Sequence, residues 1–266
     1  MDAQEDARFY AGQPAGRRIA LVTGVGRRAG IGAAVTHRLA SDGLDVAFAG
    51  WTPYDERMPW GADTGTAATL TASVEPLGVR TVAFEADFED AESPARLFDD
   101  VERLLGPVAV LVLCHCESVE SGILGTTLES FDRHFAVNAR ASWLLIREYA
   151  SRFRSGPGTG RVIALTSDHT AGNLPYGASK AALERITLAA ANEFGRLGIT
   201  ANAVDPGPTD TGWMTPSVMA AAERASPLGR VGQAADVANL VSFLCSEAGA
   251  WVNGQVLRSD GGIGTR

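Results

Sequence analysis

Seven short runs of apolar, mostly β-branched residues recur along the chain, and stretches with helical spacing separate most of them. This alternation constrains the fold more than any other feature. The runs are 17–24 (RRIALVTG), 45–50 (DVAFAG), 80–87 (RTVAFEAD), 107–114 (PVAVLVLC), 160–167 (GRVIALTS), 199–207 (ITANAVDPG) and 255–262 (QVLRSDGG). Apolar residues near a 3.6 period predict helices over 30–43, 93–105, 128–153, 176–195 and 234–246. Strands that are apolar throughout and alternate with helices form parallel sheets covered on both faces. The expected fold is a doubly wound α/β domain over 17–266, binding its ligands beyond the C-terminal strand ends. No internal repeat divides it.

The first strand runs into a glycine cluster, LVTGVGRRAGIG, which places Gly24, Gly26, Gly30, Ile31 and Gly32 ahead of the first helix. Glycines there let backbone N–H groups approach a pyrophosphate, and the helix N-terminus adds a favourable partial charge. That arrangement specifies a Rossmann-type dinucleotide site, although glycines also make ordinary tight turns. The second strand ends in Gly50, Trp51 and Thr52, with no carboxylate before Asp55 to accept bonds from an adenosine ribose. Arg27 and Arg28 in the loop suit a 2′-phosphate, unless they are merely solvated. Both features favour NADP over NAD, with NAD left open. Asp87, at the end of the third strand, is placed to meet an adenine amino group.

The chain has a single lysine among 23 basic residues, and it stands four places after a tyrosine, in YGASK. On a helix, Tyr176 and Lys180 share one face. An ammonium beside the phenol lowers its pKa, and its three donors also suit ribose hydroxyls, a combination that arginine's planar fork serves less well. Such a tyrosine exchanges a proton with a carbonyl oxygen as hydride reaches or leaves the carbon.

With the glycine loop, these residues resemble the short-chain dehydrogenase/reductase family from Arg18 to Gly262. YGASK is similar to the family's Tyr-x-x-x-Lys motif. The resemblance implies that Ser167 orients the substrate carbonyl and that Asn138, in FAVNARA, supports a proton-relay water. It implies further that Pro206, Gly207 and Thr211, in VDPGPTDT, line the nicotinamide side. The family's assemblies imply a homodimer or homotetramer built through the helices of 128–153 and 176–195 and the last strand. Alanines 181, 182, 189, 190 and 191 exceed what one sheet face needs.

Three departures stand out. The glycine loop carries two more residues between Gly24 and Gly30 than the commonest form. LCHC, from Leu113 to Cys116, replaces the usual Asn-Asn-Ala-Gly. Only eight residues separate Ser167 from Tyr176, where the family has about twelve. The short loop brings His169 and Asn173 near a substrate and leaves Thr166 or Thr170 as alternatives to Ser167. The segment 212–226 is expected to cover the substrate, with Trp213 and Met214 making that cover apolar.

Composition removes several other classes. A net charge of −8 lacks the basic field that nucleic acid or a membrane surface requires. No run of about 18 apolar residues predicts a membrane span. Residues 1–16 are expected to be a loosely ordered arm, acidic and without the apolar stretch of a signal peptide. Three cysteines without framework spacing favour a reducing, cytoplasmic setting. No metal site is expected, because His115 on a strand points away from Cys114 and Cys116. A nucleophile elbow at Ser179 lacks the strand it needs. The leading expectation is an NAD(P)-dependent, 3-oxoacyl-reductase-like oxidoreductase acting on a ketone or secondary alcohol, with Tyr176 as acid/base. The rival is a non-catalytic nucleotide sensor or scaffold of the same fold.

Overall fold

The computed structural model describes residues 16–156, 158–169 and 171–265. The arm expected over 1–16 lies outside the described residues except for Gly16, and so does Thr170. In chain order the elements begin with β1 (Ile19–Thr23), α1 (Ile31–Ser41), β2 (Asp45–Gly50), α2 (Thr52–Glu56), α3 (Thr66–Val74) and β3 (Thr81–Glu85). They continue with α4 (Ser93–Leu104), β4 (Val108–Leu113), α5 (Leu128–His134), a π-helical turn (Phe135–Ala141) and α6 (Ser142–Arg152). Next come β5 (Gly160–Leu165), α7 (Leu174–Glu193), β6 (Ile199–Asp205), β7 (Thr209–Asp210) and α8 (Pro216–Ala225). The last are β8 (Gly232–Gln233), α9 (Ala234–Cys245) and β9 (Val256–Arg258).

All seven expected runs become strands of one parallel sheet, ordered β3-β2-β1-β4-β5-β6-β9. The chain order reverses between β1 and β4, and a cleft opens beyond the strand ends at such a switch point. Thr23 of β1 sits level with Leu113 of β4, which sits level with Ala164 of β5. The loops that follow these strands therefore leave the sheet side by side.

Double burial follows from the side-chain alternation of a strand. Ile19 and Leu21 of β1 pack on one face with Phe98 of α4, Leu145 of α6 and Leu183 of α7. Ala20 and Val22 pack on the other with Val35 and Leu39 of α1 and Val241 and Leu244 of α9. At the far edge Arg161 and Arg18 donate to carbonyls at the C-terminal end of α9, including Leu244, Cys245 and Ser246. Cations suit that end of a helix.

Two helices differ from expectation. The stretch 128–153 is not one α-helix, because a seven-residue π-turn joins α5 to α6. The helix expected from Tyr176 begins at Leu174, since Pro175 fits the first turn, where its missing N–H has no partner to lose.

The buried Tyr149 hydroxyl donates to the Ala109 carbonyl at 2.8 Å and accepts the Arg161 N–H at 3.0 Å, bridging β4 and β5. Tyr149→Phe strands both groups in the interior and should lower stability by about 1–3 kcal/mol. The check is a lower urea midpoint with an unchanged slope.

Candidate active site

α7 carries Tyr176 and Lys180 on one face, as the spacing requires. The Lys180 ammonium lies 5.8 Å from the centre of the Tyr176 ring. Lys180 is only 2% exposed and, among the described residues, pairs with no carboxylate. It donates instead to the Leu165 carbonyl at the end of β5, at 2.8 Å, and approaches the His115 carbonyl at 3.5 Å. Burial lowers its pKa. Its remaining donor capacity suits hydroxyls such as those of a ribose.

Tyr176 departs from the expectation of a lowered pKa. Burial pushes the phenol up, the nearby Cys116 adds to the rise, and the Ser167 hydroxyl opposes it. Desolvation dominates here, so the ring is held as the neutral phenol. Ser167 follows β5, and its hydroxyl accepts the His169 N–H at 3.2 Å. Thr166 is buried and directs its hydroxyl to the Lys180 carbonyl, behind the site.

Asn138 lies in the π-turn, fully buried. Its Oδ1 accepts the Glu117 N–H at 2.7 Å, and its Nδ2 donates to the Glu117 carbonyl at 2.9 Å and to Ser179 Oγ at 2.8 Å. It thereby clamps the loop after β4. In the same loop His115 turns inward, with Nε2 against the Val137 carbonyl at 3.2 Å and Nδ1 against Thr23 Oγ1 at 2.7 Å. A carbonyl can only accept, so Nε2 carries the proton and Nδ1 accepts from threonine. Thus LCHC supplies a buried, neutral imidazole as a joint between β1, β4 and the π-turn. Cys114, Cys116 and Cys245 are free thiols. Among the described residues no group of three or more His, Cys, Asp or Glu side chains is placed to hold a metal ion.

The glycine loop lies where expected. Gly24 has φ +75°, and a Cβ there would meet the Cys114 carbonyl carbon at 2.4 Å, so its lack of a side chain lets the loop touch β4. Gly30 precedes α1 as its N-cap, and Ile31 and Gly32 open that helix. A Cβ on Gly32 would meet the Gly24 carbonyl oxygen at 2.6 Å. Pro206, Gly207 and buried Thr211 follow β6 across the cleft, and the Thr211 carbonyl accepts a bond from Arg27 at 2.8 Å. Asp87 accepts the Glu89 N–H at the end of β3, and Thr52 bonds Glu85. His169 and Trp213 are exposed and Met214 is half-buried; no bond links these three to Tyr176.

The sequence reading missed the segment between β2 and α3. Arg28 forms a paired contact with Asp63, at 2.6 and 3.0 Å. Arg27 approaches Asp55 at 3.6 Å and stacks over Trp60. Arg57 pairs with the buried Glu117 at 2.7 Å. The available signal was WTPYDERMPWGAD itself, where aromatic and acidic residues are dense for a simple connection.

A glycine loop at the switch point of a parallel sheet, facing a tyrosine and a buried lysine, defines a dinucleotide-dependent oxidoreductase architecture. A family model described as enoyl-(acyl carrier protein) reductase matches residues 24–264. The oxidoreductase YjdA of Bacillus subtilis (strain 168) is 34% identical over 251 residues, covering 92% of this chain and 96% of its own. The NADPH-dependent aldehyde reductase-like protein of Arabidopsis thaliana chloroplasts is 35% identical over 266 residues, covering 94% and 95% of the two chains. Among solved structures, a short chain dehydrogenase from Burkholderia cenocepacia J2315 in complex with NADP superposes with a TM-score of 0.81 at 33% identity. That match covers 93% of this chain and 98% of the other. The chain belongs to the short-chain dehydrogenase/reductase family, and it is an oxidoreductase of that type.

Burial pushes the His115 imidazole down to about 3, from an ordinary value of 6.5. Its NMR ring signals should therefore stay those of the neutral form from pH 7 to pH 4.5. The unfolded chain takes up this proton below 6.5 while the folded chain does not, so stability falls as pH drops, by up to about 1.4 kcal/mol per unit. A ring that titrates near pH 6 in the folded protein would contradict this placement.

Proposed function

We propose that the protein is an NADP(H)-dependent reductase of a small, apolar ketone or, in reverse, a dehydrogenase of the secondary alcohol. The observation that carries the reading is the neutral Tyr176 phenol beside Ser167 at the end of β5, with Lys180 one helical turn behind. NADPH supplies the hydride when bound. Ser167 donates a hydrogen bond to the carbonyl oxygen, and Tyr176 delivers a proton to it as charge develops. Lys180 anchors the ribose hydroxyls and steadies the phenolate left after transfer.

Asn138 acts as a positioning residue. Three of its side-chain hydrogen-bonding positions are spent on Glu117 and Ser179, so the side chain keeps one oxygen lone pair for a water.

Support for NADP comes from Arg27 and Arg28 in the glycine loop, from the NADP complex and from the NADPH-dependent relative named above. Gly24, Gly26, Gly30, Ile31 and Gly32 line the pyrophosphate, Thr52 and Asp87 the adenosine, and Pro206, Gly207 and Thr211 the nicotinamide. The apolar substrate reading rests on Trp213 and Met214 in the segment 212–226, with an open apolar depression between the loops after β4 and β5, lined by Ile123, Leu124, Ala171 and Leu174, in keeping with it. The segment 212–226, which contains the exposed helix α8, would cover the substrate, with Trp213, Met214 and His169 as candidate substrate contacts.

The assembly reading is a homodimer or homotetramer. Trp143 of α6 is 47% exposed beside a groove lined by Phe135, Ala139 and Ile186. Trp251, next to the edge strand β9, is 98% exposed. A cytoplasmic site of action belongs to the same reading. No helix among the described residues is long and apolar enough to cross a membrane.

The first test is a titration with NADPH and NADH, read by cofactor fluorescence, on wild type, Lys180→Ala and Tyr176→Phe. NADPH should bind more tightly than NADH, and Lys180→Ala should bind it more weakly. Tyr176→Phe should keep binding and lose about 10²–10⁴-fold in kcat with a reducible ketone. Retained turnover in Tyr176→Phe would remove the tyrosine from its role, and absence of turnover with any carbonyl compound would favour the sensor reading.

A second expectation concerns assembly. Trp143→Glu should shift light-scattering mass toward a smaller species if the α6 face is an interface, and leave it unchanged otherwise.

A further inference from the structure

The segment from Thr52 to Asp63 crosses the groove that a dinucleotide would need, and it holds both of that groove's arginines. At one end Asp63 takes the Arg28 guanidinium through both oxygens and also accepts the Arg28 backbone N–H at 2.9 Å. Towards the other end, Asp55 is 5% exposed and lies directly on Gly26. A Cβ built on Gly26 would stand 2.2 Å from the Asp55 carboxylate. Trp60 holds that carboxylate from the other side, its Nε1 donating at 2.8 Å, and stacks on Arg27 at 4.7 Å. At the centre of the segment Arg57 binds the buried Glu117 carboxylate after β4. The Tyr54 phenol reaches the neighbourhood of Cys116, Glu117 and Tyr176.

Gly26 is a position where a bare backbone admits close approach of a phosphate, and here a carboxylate makes that approach. Two anions cannot share the contact, because their repulsion in a poorly solvated groove is uncompensated while one guanidinium serves both. Resting on the dinucleotide reading above, we propose that residues 52–63 form a strap whose Asp55 and Asp63 carboxylates take the places of cofactor phosphates, and that NADPH binds only by displacing it. Cofactor affinity is then reduced by the fraction of time the strap spends closed, and whatever loosens the strap tightens binding. The arginines are handed from internal to external anions, which keeps them charge-paired throughout.

The test uses the full chain. Hydrogen exchange is followed by mass spectrometry with and without NADPH, and NADPH affinity is measured by cofactor fluorescence on wild type, Trp60→Ala and Asp63→Asn. The proposal expects faster exchange across 52–63 when NADPH binds, while 24–32 become protected. It also expects both variants to bind NADPH about three- to tenfold more tightly than wild type. Binding by a variant when wild type fails to bind would support the strap in its strongest form. Protection of 52–63 on binding, or weaker binding by both variants, would overturn the strap and leave the dinucleotide reading intact. Should no folded variant bind either cofactor, the dinucleotide reading falls and takes the strap with it.

Discussion

Parallel pairing of all seven strands is the constraint from which the rest follows. Strands that run one way must be linked by crossovers on the faces, so both faces are covered and the inner strands β2, β1, β4, β5 and β6 are buried along almost their whole length. The same geometry sends every loop that follows a strand to one edge. Because β1, β4 and β5 end level, the glycine loop, the LCHC loop and Ser167 emerge together without any bond dedicated to gathering them. α7 then needs only to pack on that face of the sheet for Tyr176 and Lys180 to meet them.

The cleft edge is built from backbone groups as much as from side chains. Lys180 is held by carbonyls at the ends of β4 and β5, and Asn138 by both main-chain groups of Glu117. Such contacts tolerate changes in the neighbouring side chains, which accounts for how LCHC can stand in a place where the family has a different sequence. His115 adds one requirement of its own, since its imidazole must remain neutral to serve as both donor and acceptor between Thr23 and Val137.

Much of this was legible in the residues. Periodicity alone located the seven strands and most helices, because burial on two faces leaves a continuous apolar run that few other arrangements produce. The Tyr176–Lys180 pair was legible because helix geometry turns a spacing of four into one face. The π-turn was not, since its local sequence fits an α-helix and only the tertiary clamp on Glu117 distinguishes it. Nor was the partnership of Arg27 and Arg28 with Asp55 and Asp63 legible, because it joins segments about thirty residues apart through side-chain pairing that has no period. The electrostatics of Tyr176 also escaped the sequence. Spacing shows that an ammonium is near, whereas the balance between charge and desolvation depends on depth.

The lone lysine has a practical consequence. Every other fixed positive side chain is an arginine, so Lys180 is the only side-chain amine in the molecule. Isotope labelling with lysine alone would place a single spectroscopic probe in the whole protein, inside the cleft and next to the phenol. Surface chemistry aimed at amines would find no exposed side chain to modify, so the protein's exterior could be decorated by other means while that one nitrogen reports on its surroundings.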